Sequence, residues 1–439
     1  MAKILDYNPS PNYYSNLVHD QRYALISSFT LESGQELHSF PIAFKTWGVL
    51  NANHDNVIVV CHALSGSCDI EDWWRPAIGP RQGLALDISR FFVFCANMLG
   101  SPYGSASSVT LNPETGSPYG PGFPQTTVRD DVRVQKLVLD ALGVASVAAV
   151  IGGSMGGMAT LEWPLCTPAG YVKSIIPIAT AARQSAWGIS WSAVQRNCIR
   201  ADPAYHGGYY NPDPAGQPYA GLATARQVAM LTYRSSVSFE RRFGRKPAEV
   251  KTYTYGNSGI VTNGESITKK PSPRPDEKPC FAAQSYLQYQ GEKFLCRFDA
   301  NCYLHLIDKM DLHDVARGRR CDAAADDSTV VSTILGSLPS KALVIGVESD
   351  ILFRLEQQAE LAALIPDAEL VVVPSQDGHD GFLLEFDMLN EVISRYLKDR
   401  FPQFYEGEPA LVDVGMDPRV KSKMDNEGHD LTQLQRKNQ

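Results

Sequence analysis

Val147-Ala-Ala-Val-Ile-Gly-Gly-Ser-Met-Gly-Gly-Met-Ala-Thr-Leu-Glu-Trp-Pro-Leu165 is the stretch on which the architecture turns. Its first five residues read as a buried strand, Gly152-Gly-Ser-Met-Gly156 as a tight turn, and 158–165 as a helix. A serine at the apex of a strand–turn–helix is a nucleophile elbow, which lifts the Ser154 hydroxyl out of a strained corner. Small neighbours are needed because bulk beside such a turn collides with the adjoining chain. The bare five-residue pattern also occurs as an ordinary glycine-rich turn, so the flanking strand and helix carry the weight.

Working outward, short β-branched runs recur at 56–61, 91–96, 174–178, 342–347 and 369–373, each nearly apolar throughout. Such runs suit parallel strands covered on both faces. Between them, Val134, Leu137, Val138, Ala141 and Leu142 repeat at helical spacing, with Gly143 as the C-terminal stop. Leu389, Val392, Ile393, Tyr396 and Leu397 do the same. Strand–helix alternation of this kind predicts an open, mostly parallel sheet with right-handed crossovers and helices on both faces.

The alternation breaks after Thr180. Residues 181–336 read as largely helical, with Trp187, Trp191 and Gln195, the run 222–233 and the run 281–303, before strands resume at Ala342. We therefore expect a core in two parts, 1–180 and 337–405, with 181–336 inserted between them as a helical lid. Within the insertion, 245–279 is polar and rich in Lys, Pro, Ser and Gly, and reads as an excursion outside the core. The polar tail 406–439 is expected to fray.

A chain of 439 residues with 44% hydrophobic content can bury a large core. A formal charge of −8 argues against a nucleic-acid binder, which grips phosphates with clustered Lys and Arg. The N-terminus shows no apolar signal core, and no stretch approaches the ~18 uninterrupted apolar residues of a membrane span. A cytoplasmic enzyme acting on small molecules is the expectation. The nine cysteines lie apart, without metal-ligand spacing, so reduced and mostly buried thiols are expected rather than disulfides or zinc.

A serine hydroxyl attacks only when a base takes its proton, so the elbow calls for an acid and a histidine in the order Ser, acid, His. His379, in Gln376-Asp-Gly-His-Asp-Gly381, follows the run 369–373 and precedes a helix expected near Phe382. His305 and His313 fall in the helical insertion and read as packing residues; His206 and His429 sit in loop and tail. Asp350 directly follows the strand 342–347 and could orient the imidazole. Glu348 is its rival, and a helix-capping carboxylate is the plainer reading of Asp350. An oxyanion hole needs two backbone N–H groups. One should come from Met155, the other from the loop through His62-Ala-Leu-Ser-Gly66, where His62 shapes the loop.

His62-Ala-Leu-Ser-Gly66, Asn112-Pro-Glu-Thr-Gly116, Arg129-Asp-Asp-Val132, Gly152-Gly-Ser-Met-Gly-Gly-Met158, Leu231-Thr-Tyr-Arg-Ser235, Phe298-Asp-Ala-Asn-Cys-Tyr303 and Gly378-His-Asp380 recur in one order in a known family. Over residues 23–401 the chain resembles homoserine O-acetyltransferases of the α/β-hydrolase superfamily, the fungal kind above all. The resemblance implies an α/β-hydrolase fold and a ping-pong reaction of methionine biosynthesis. In it Ser154 takes acetyl from acetyl-CoA, and His379, held by Asp350, deprotonates the L-homoserine hydroxyl that collects it. It implies the amides of Leu64 and Met155 as oxyanion donors, and Arg234 and Asp380 as binders of the amino acid's carboxylate and ammonium. It also implies a homodimer built through the insertion, with no permanently bound cofactor, no metal, and acetyl-CoA as co-substrate. The chain departs from bacterial members at Gly79-Pro-Arg-Gln-Gly83 and in 245–279. Open alternatives are a serine or deacetylcephalosporin C acceptor, a succinyl-CoA donor, a serine esterase of the same framework, or a silent binding protein.

Overall fold

The computed structural model describes residues 2–248, 281–320 and 326–411. Strands β1 (Ala2–Leu5), β2 (Arg22–Thr30), β3 (Glu36–Trp47) and β4 (Val57–Cys61) come first. A two-residue pair, β5 (Ile78–Gly79) and β6 (Leu86–Asp87), stands apart from the main sheet. Then follow β7 (Phe92–Ala96), β8 (Val147–Gly153), β9 (Ile175–Ile178), β10 (Leu343–Val347) and β11 (Glu369–Val373). The main sheet runs β1-β2-β3-β7-β4-β8-β9-β10-β11. From β7 to β11 all neighbours are parallel, and every residue of β4, β7, β8, β9 and β10 is buried. These are the β-branched runs of the sequence, apolar on both faces because both are covered.

At the other edge β1, β2 and β3 pair antiparallel, and β3 joins β7 antiparallel. No all-apolar run announced them. In β2 the buried residues Tyr23, Ala24, Ile26 and Phe29 are interleaved with exposed Arg22, Ser27, Ser28 and Thr30, so half-burial dilutes the signal.

The helices in chain order are α1 (Ile70–Trp74), α2 (Val128–Ala141), α3 (Met155–Leu165), α4 (Ala186–Arg200), α5 (Tyr219–Tyr233) and α6 (Ser236–Arg242). They continue as α7 (Ala282–Leu295), α8 (Ala300–Asp311), α9 (Asp327–Gly336), α10 (Leu355–Leu364) and α11 (Phe386–Arg400). Helix α2 shows how local sequence sets an element's limits. Thr127 and Asp130 form a reciprocal capping box at its start. At its end Gly143 takes φ 80°, while the Gly143 and Val144 amides bond the carbonyls of Asp140 and Leu139. Helix α11 begins at Phe386, later than expected, because Gly378–Leu383 first makes a short 3-10 turn around His379. Between β9 and β10 the named elements are helical throughout, α4 to α9 with a short 3-10 segment. The polar excursion and the tail lie, from 249 to 280 and from 412 onward, outside the described residues.

One buried ion pair ties α8 to α2. Lys309 Nζ lies 2.5 Å from Asp131 Oδ2, with side chains 0% and 1% exposed. The same Nζ donates to the Leu99 carbonyl at 2.7 Å, and Asp131 Oδ1 accepts the Leu99 amide at 2.8 Å. Removing one partner strands the other charge in the interior. Lys309→Met is therefore expected to cost about 3–5 kcal/mol, read as a lower denaturant midpoint, and adding Asp131→Asn should recover part of the loss. The described cysteines are free, and Cys61, Cys68, Cys95 and Cys302 are buried within the core. No helix among the described residues is long and apolar enough to cross a membrane.

Candidate active site

Ser154 sits between β8 and α3 with φ 57° and ψ −124°, a backbone conformation L residues rarely adopt. Two bonds hold it there: its amide donates to the Ile178 carbonyl at 3.0 Å, and the Thr180 hydroxyl donates to its carbonyl at 2.9 Å. The elbow closes only because its flanks are glycine. A Cβ at Gly156 would lie 2.0 Å from the Cys61 carbonyl oxygen, and one at Gly152 would lie 2.3 Å from that of Gly156. Both obstacles are backbone, so neither yields to a rotamer change.

His379 comes to the site from the turn after β11, and Asp350 from the turn after β10. His379 Nδ1 is 2.6 Å from Asp350 Oδ2, and both residues are buried. The other carboxylate oxygen, Oδ1, accepts the Leu352 and Phe353 amides at 2.8 and 2.9 Å. Asp350 thus caps its turn with one oxygen and orients the imidazole with the other, so the two roles coexist. Glu348 is exposed, and its amide donates to the Val373 carbonyl at 3.0 Å. Burial disfavours the His379 imidazolium, but the Asp350 carboxylate, helped by Asp380, outweighs it and raises the pKa above the ordinary histidine value.

Ser154 and His379 line one cavity of about 970 Å³, together with Leu64, Arg234 and Asp380. That volume suits a small-molecule site. Met155 is buried directly after Ser154, and as the first residue of α3 its N–H has no intrahelical acceptor. Leu64 reaches the cavity on the loop after β4, which His62 stiffens: Met98 donates its amide to His62 Nε2 at 3.0 Å, and Nδ1 meets the Ala63 carbonyl at 2.8 Å. Burial pushes His62 down to about 4, so it stays neutral. His305 and His313 are buried on Thr126 and the Ala181 carbonyl, away from the cavity lining. His206 lies in a tight turn with φ 48°, and His429 falls outside the described residues.

Arg234 and Asp380 are not merely near one another. Arg234 Nε lies 2.9 Å from Asp380 Oδ2, while Nη1 donates to Asp377 Oδ1 at 3.1 Å. Asp377 also meets Arg241 and the Ser238 hydroxyl. Burial raises the Asp380 pKa, against the opposing pull of Arg234, His379 and Arg226. Asp377 and Arg226 were not singled out in the sequence. Asp377 stands two residues before His379 in the same turn, whereas Arg226 shares one stripe of α5 with Met230 and Tyr233 at i, i+4 and i+7, and Arg234 follows on the extended residue that ends the helix.

An α/β-hydrolase family profile, described as the alpha/beta hydrolase fold, matches residues 56–386. The homoserine O-acetyltransferase of Cryptococcus neoformans var. grubii is 44% identical, covering 91% of this chain and 92% of its own. That of Saccharomyces cerevisiae is 43% identical, covering 95% of this chain and 94% of its own. The chain belongs to the homoserine O-acetyltransferase family. Among solved structures, the homoserine O-acetyltransferase of Staphylococcus aureus superposes with a TM-score of 0.63 at 27% identity, over 88% of this chain and 98% of that one. The acetyl esterase MekB superposes with a TM-score of 0.68 at 26% identity, over 88% and 99%. The family framework therefore stands close to an acetyl-ester hydrolase as well as to acetyltransferases, and the two chemistries diverge only after an acyl-enzyme has formed.

Proposed function

We propose that the protein transfers the acetyl group of acetyl-CoA to the side-chain hydroxyl of L-homoserine through an acetyl-Ser154 intermediate. The observation that carries this reading is the opening of Ser154, His379 and the Arg234–Asp380 pair onto one cavity. A hydrolase needs only the first two. An amino-acid acceptor also brings a carboxylate and an ammonium, which a guanidinium and a carboxylate recognise.

In the first half-reaction His379 Nε2 takes the Ser154 proton as Oγ bonds to the acetyl carbonyl carbon. The carbon–sulfur bond breaks, and the proton passes to the CoA sulfur. The Leu64 and Met155 amides receive the negative charge that develops on the carbonyl oxygen. In the second half, His379 deprotonates the homoserine hydroxyl, whose oxygen attacks the acetyl carbon. The serine ester bond then breaks, and the proton returns to Ser154. Asp350 keeps the imidazole oriented and supports its positive charge throughout. The helices between β9 and β10 supply part of the cavity wall through Arg226, Met230, Tyr233 and Tyr286, and this reading gives them the task of favouring the acceptor over water at the acyl-serine.

The test is a two-step incubation with acetyl-CoA, then with L-homoserine, L-serine, deacetylcephalosporin C or water, followed by intact mass. Ser154 should gain acetyl and lose it fastest to L-homoserine. Arg234→Ala should still acquire acetyl but pass it on about 100-fold more slowly. Discharge fastest into water would reduce the protein to an esterase, and a first step slowed as much as the second would remove Arg234 from acceptor binding.

A further inference from the structure

The base is carried by a very short element. Gly378–Leu383 is a 3-10 turn of six residues, with His379 second in it. A turn this short has poor internal hydrogen bonding and depends on what its two ends are tied to. At the front, the Gly378 amide donates to Ser349 Oγ at 2.9 Å, and the Ser235 hydroxyl donates to the Gln376 carbonyl. At the far end, the Trp74 indole N–H donates to the Phe382 carbonyl at 3.0 Å, across 308 positions of sequence.

Trp74 ends α1, the first helix after the oxyanion loop, and is 1% exposed. Its neighbour Trp73 stacks on it, with ring centroids 5.5 Å apart, and donates its own indole N–H to the Ser67 carbonyl at 3.0 Å. One indole thus reaches the segment that carries Leu64, and the other reaches the turn that carries His379. Just beyond α1, Asn390 of α11 donates to the Pro76 carbonyl at 2.9 Å, which anchors this helix at its other end. A buried indole needs an acceptor, but this one has found a residue that buttresses both halves of the chemistry. The Phe382 ring lies 5.2 Å from the His379 imidazole, and a Cβ on Gly153, beside Ser154, would come within 2.5 Å of it.

We infer that Trp74 is a positioning residue for His379: by pinning the far end of the turn to α1, it holds the imidazole at a fixed spacing from Ser154 and from the oxyanion loop. Trp74 is not part of the cavity lining and acts through Phe382. The inference rests on the serine–histidine part of the reading above, and not on which acceptor takes the acetyl.

The groups facing the imidazole say how a loosened turn would show itself. They are Asp350 beyond β10, Asp380 in the same turn with Arg234 paired to it, and Tyr233 at the end of α5. Asp350 is held separately, by the Leu352 and Phe353 amides, so a relaxing turn moves His379 and leaves its carboxylate behind. As the imidazole loses Asp350 and meets water, its pKa returns toward the ordinary histidine value, which lies below that of the intact site.

The test uses p-nitrophenyl acetate on the full chain, with Ser154→Ala as background. Ser154 Oγ bonds to the acetyl carbon as its proton passes to His379, the aryl ester bond breaks, and p-nitrophenolate leaves with the electron pair. Its release reports acetylation whether the acetyl later goes to an acceptor or to water. Wild type is compared with Trp74→Phe and with replacement of Trp74 by 3-benzothienylalanine, which puts sulfur in place of the indole N–H and keeps both rings. In both variants kcat/KM should fall roughly tenfold and its acid limb should move to lower pH, while a fluorophosphonate still labels the whole population at its endpoint. Where Trp74→Phe does not fold, the sulfur variant decides. A sulfur variant with the wild-type rate, with its acid limb in place, or with its loss confined to the labelled fraction would overturn the inference, as would a wild type with no release above background. Acetyl-enzyme discharging into water in preference to L-homoserine would instead sink the acceptor reading and leave this one standing.

Discussion

Replacing Ser154 by alanine is expected to lower turnover about a millionfold and to leave the protein without a mass shift after acetyl-CoA is added. The substitution deletes one hydroxyl and nothing else that holds the elbow. The bonds from the Ser154 amide to Ile178 and from Thr180 to the Ser154 carbonyl are backbone-centred and remain. The variant should therefore melt near the wild-type temperature, which separates lost chemistry from lost fold. Acetyl found on the alanine variant, at any residue, with turnover retained would displace Ser154 as nucleophile.

The second large effect belongs to Asp350. Asparagine fits the same space and can still accept the Leu352 and Phe353 amides, but it offers no charge to His379. It can also present an N–H to Nδ1, which selects the wrong imidazole tautomer; in another serine enzyme the equivalent change costs about 10⁴-fold in kcat. A pH profile adds a readout that misfolding would not mimic. In the wild type the base must be neutral, so acetyl-enzyme formation should rise with pH through an apparent pKa above the ordinary histidine value. Burial lowers that pKa and the Asp350 carboxylate raises it. Without the carboxylate the lowering dominates, so the residual activity of Asp350→Asn should keep its plateau to lower pH. An acid limb that stays in place would mean that another group sets it.

The placement of Ser154, Asp350 and His379 was readable because it depends on local pattern. The elbow announces itself through its glycines, His379 and Asp350 each stand directly beyond a strand, and the parallel strands are short runs of apolar residues. Position alone did not separate Asp350 from Glu348, since both lie past the same strand; the family resemblance favoured Asp350. Two residues of separation reverse the outcome, with Asp350 buried against His379 and Glu348 exposed.

What escaped is non-local. The antiparallel strands β1 to β3 gain their core face only by pairing with one another and with β7. Arg226 carries no local signal, because a guanidinium on an amphipathic helix normally faces water. Its actual setting, over Phe294, depends on α7 packing against α5 more than fifty residues later. The Arg234–Asp377 contact likewise joins two turns 143 positions apart.

The buried cysteines give the molecule an internal record of its own opening. Alkylating reagents attack the thiolate, and burial pushes Cys61 up to about 12 and holds Cys95 and Cys302 well above the ordinary thiol range. In the native state these sulfurs are shielded from reagent and short of charge at once. Among the described cysteines Cys296 is the exposed one, and of these it is expected to react first. Label on Cys61 or Cys95 must wait until the strands carrying them separate, so that phase of thiol modification keeps time with exposure of the sheet beneath Ser154.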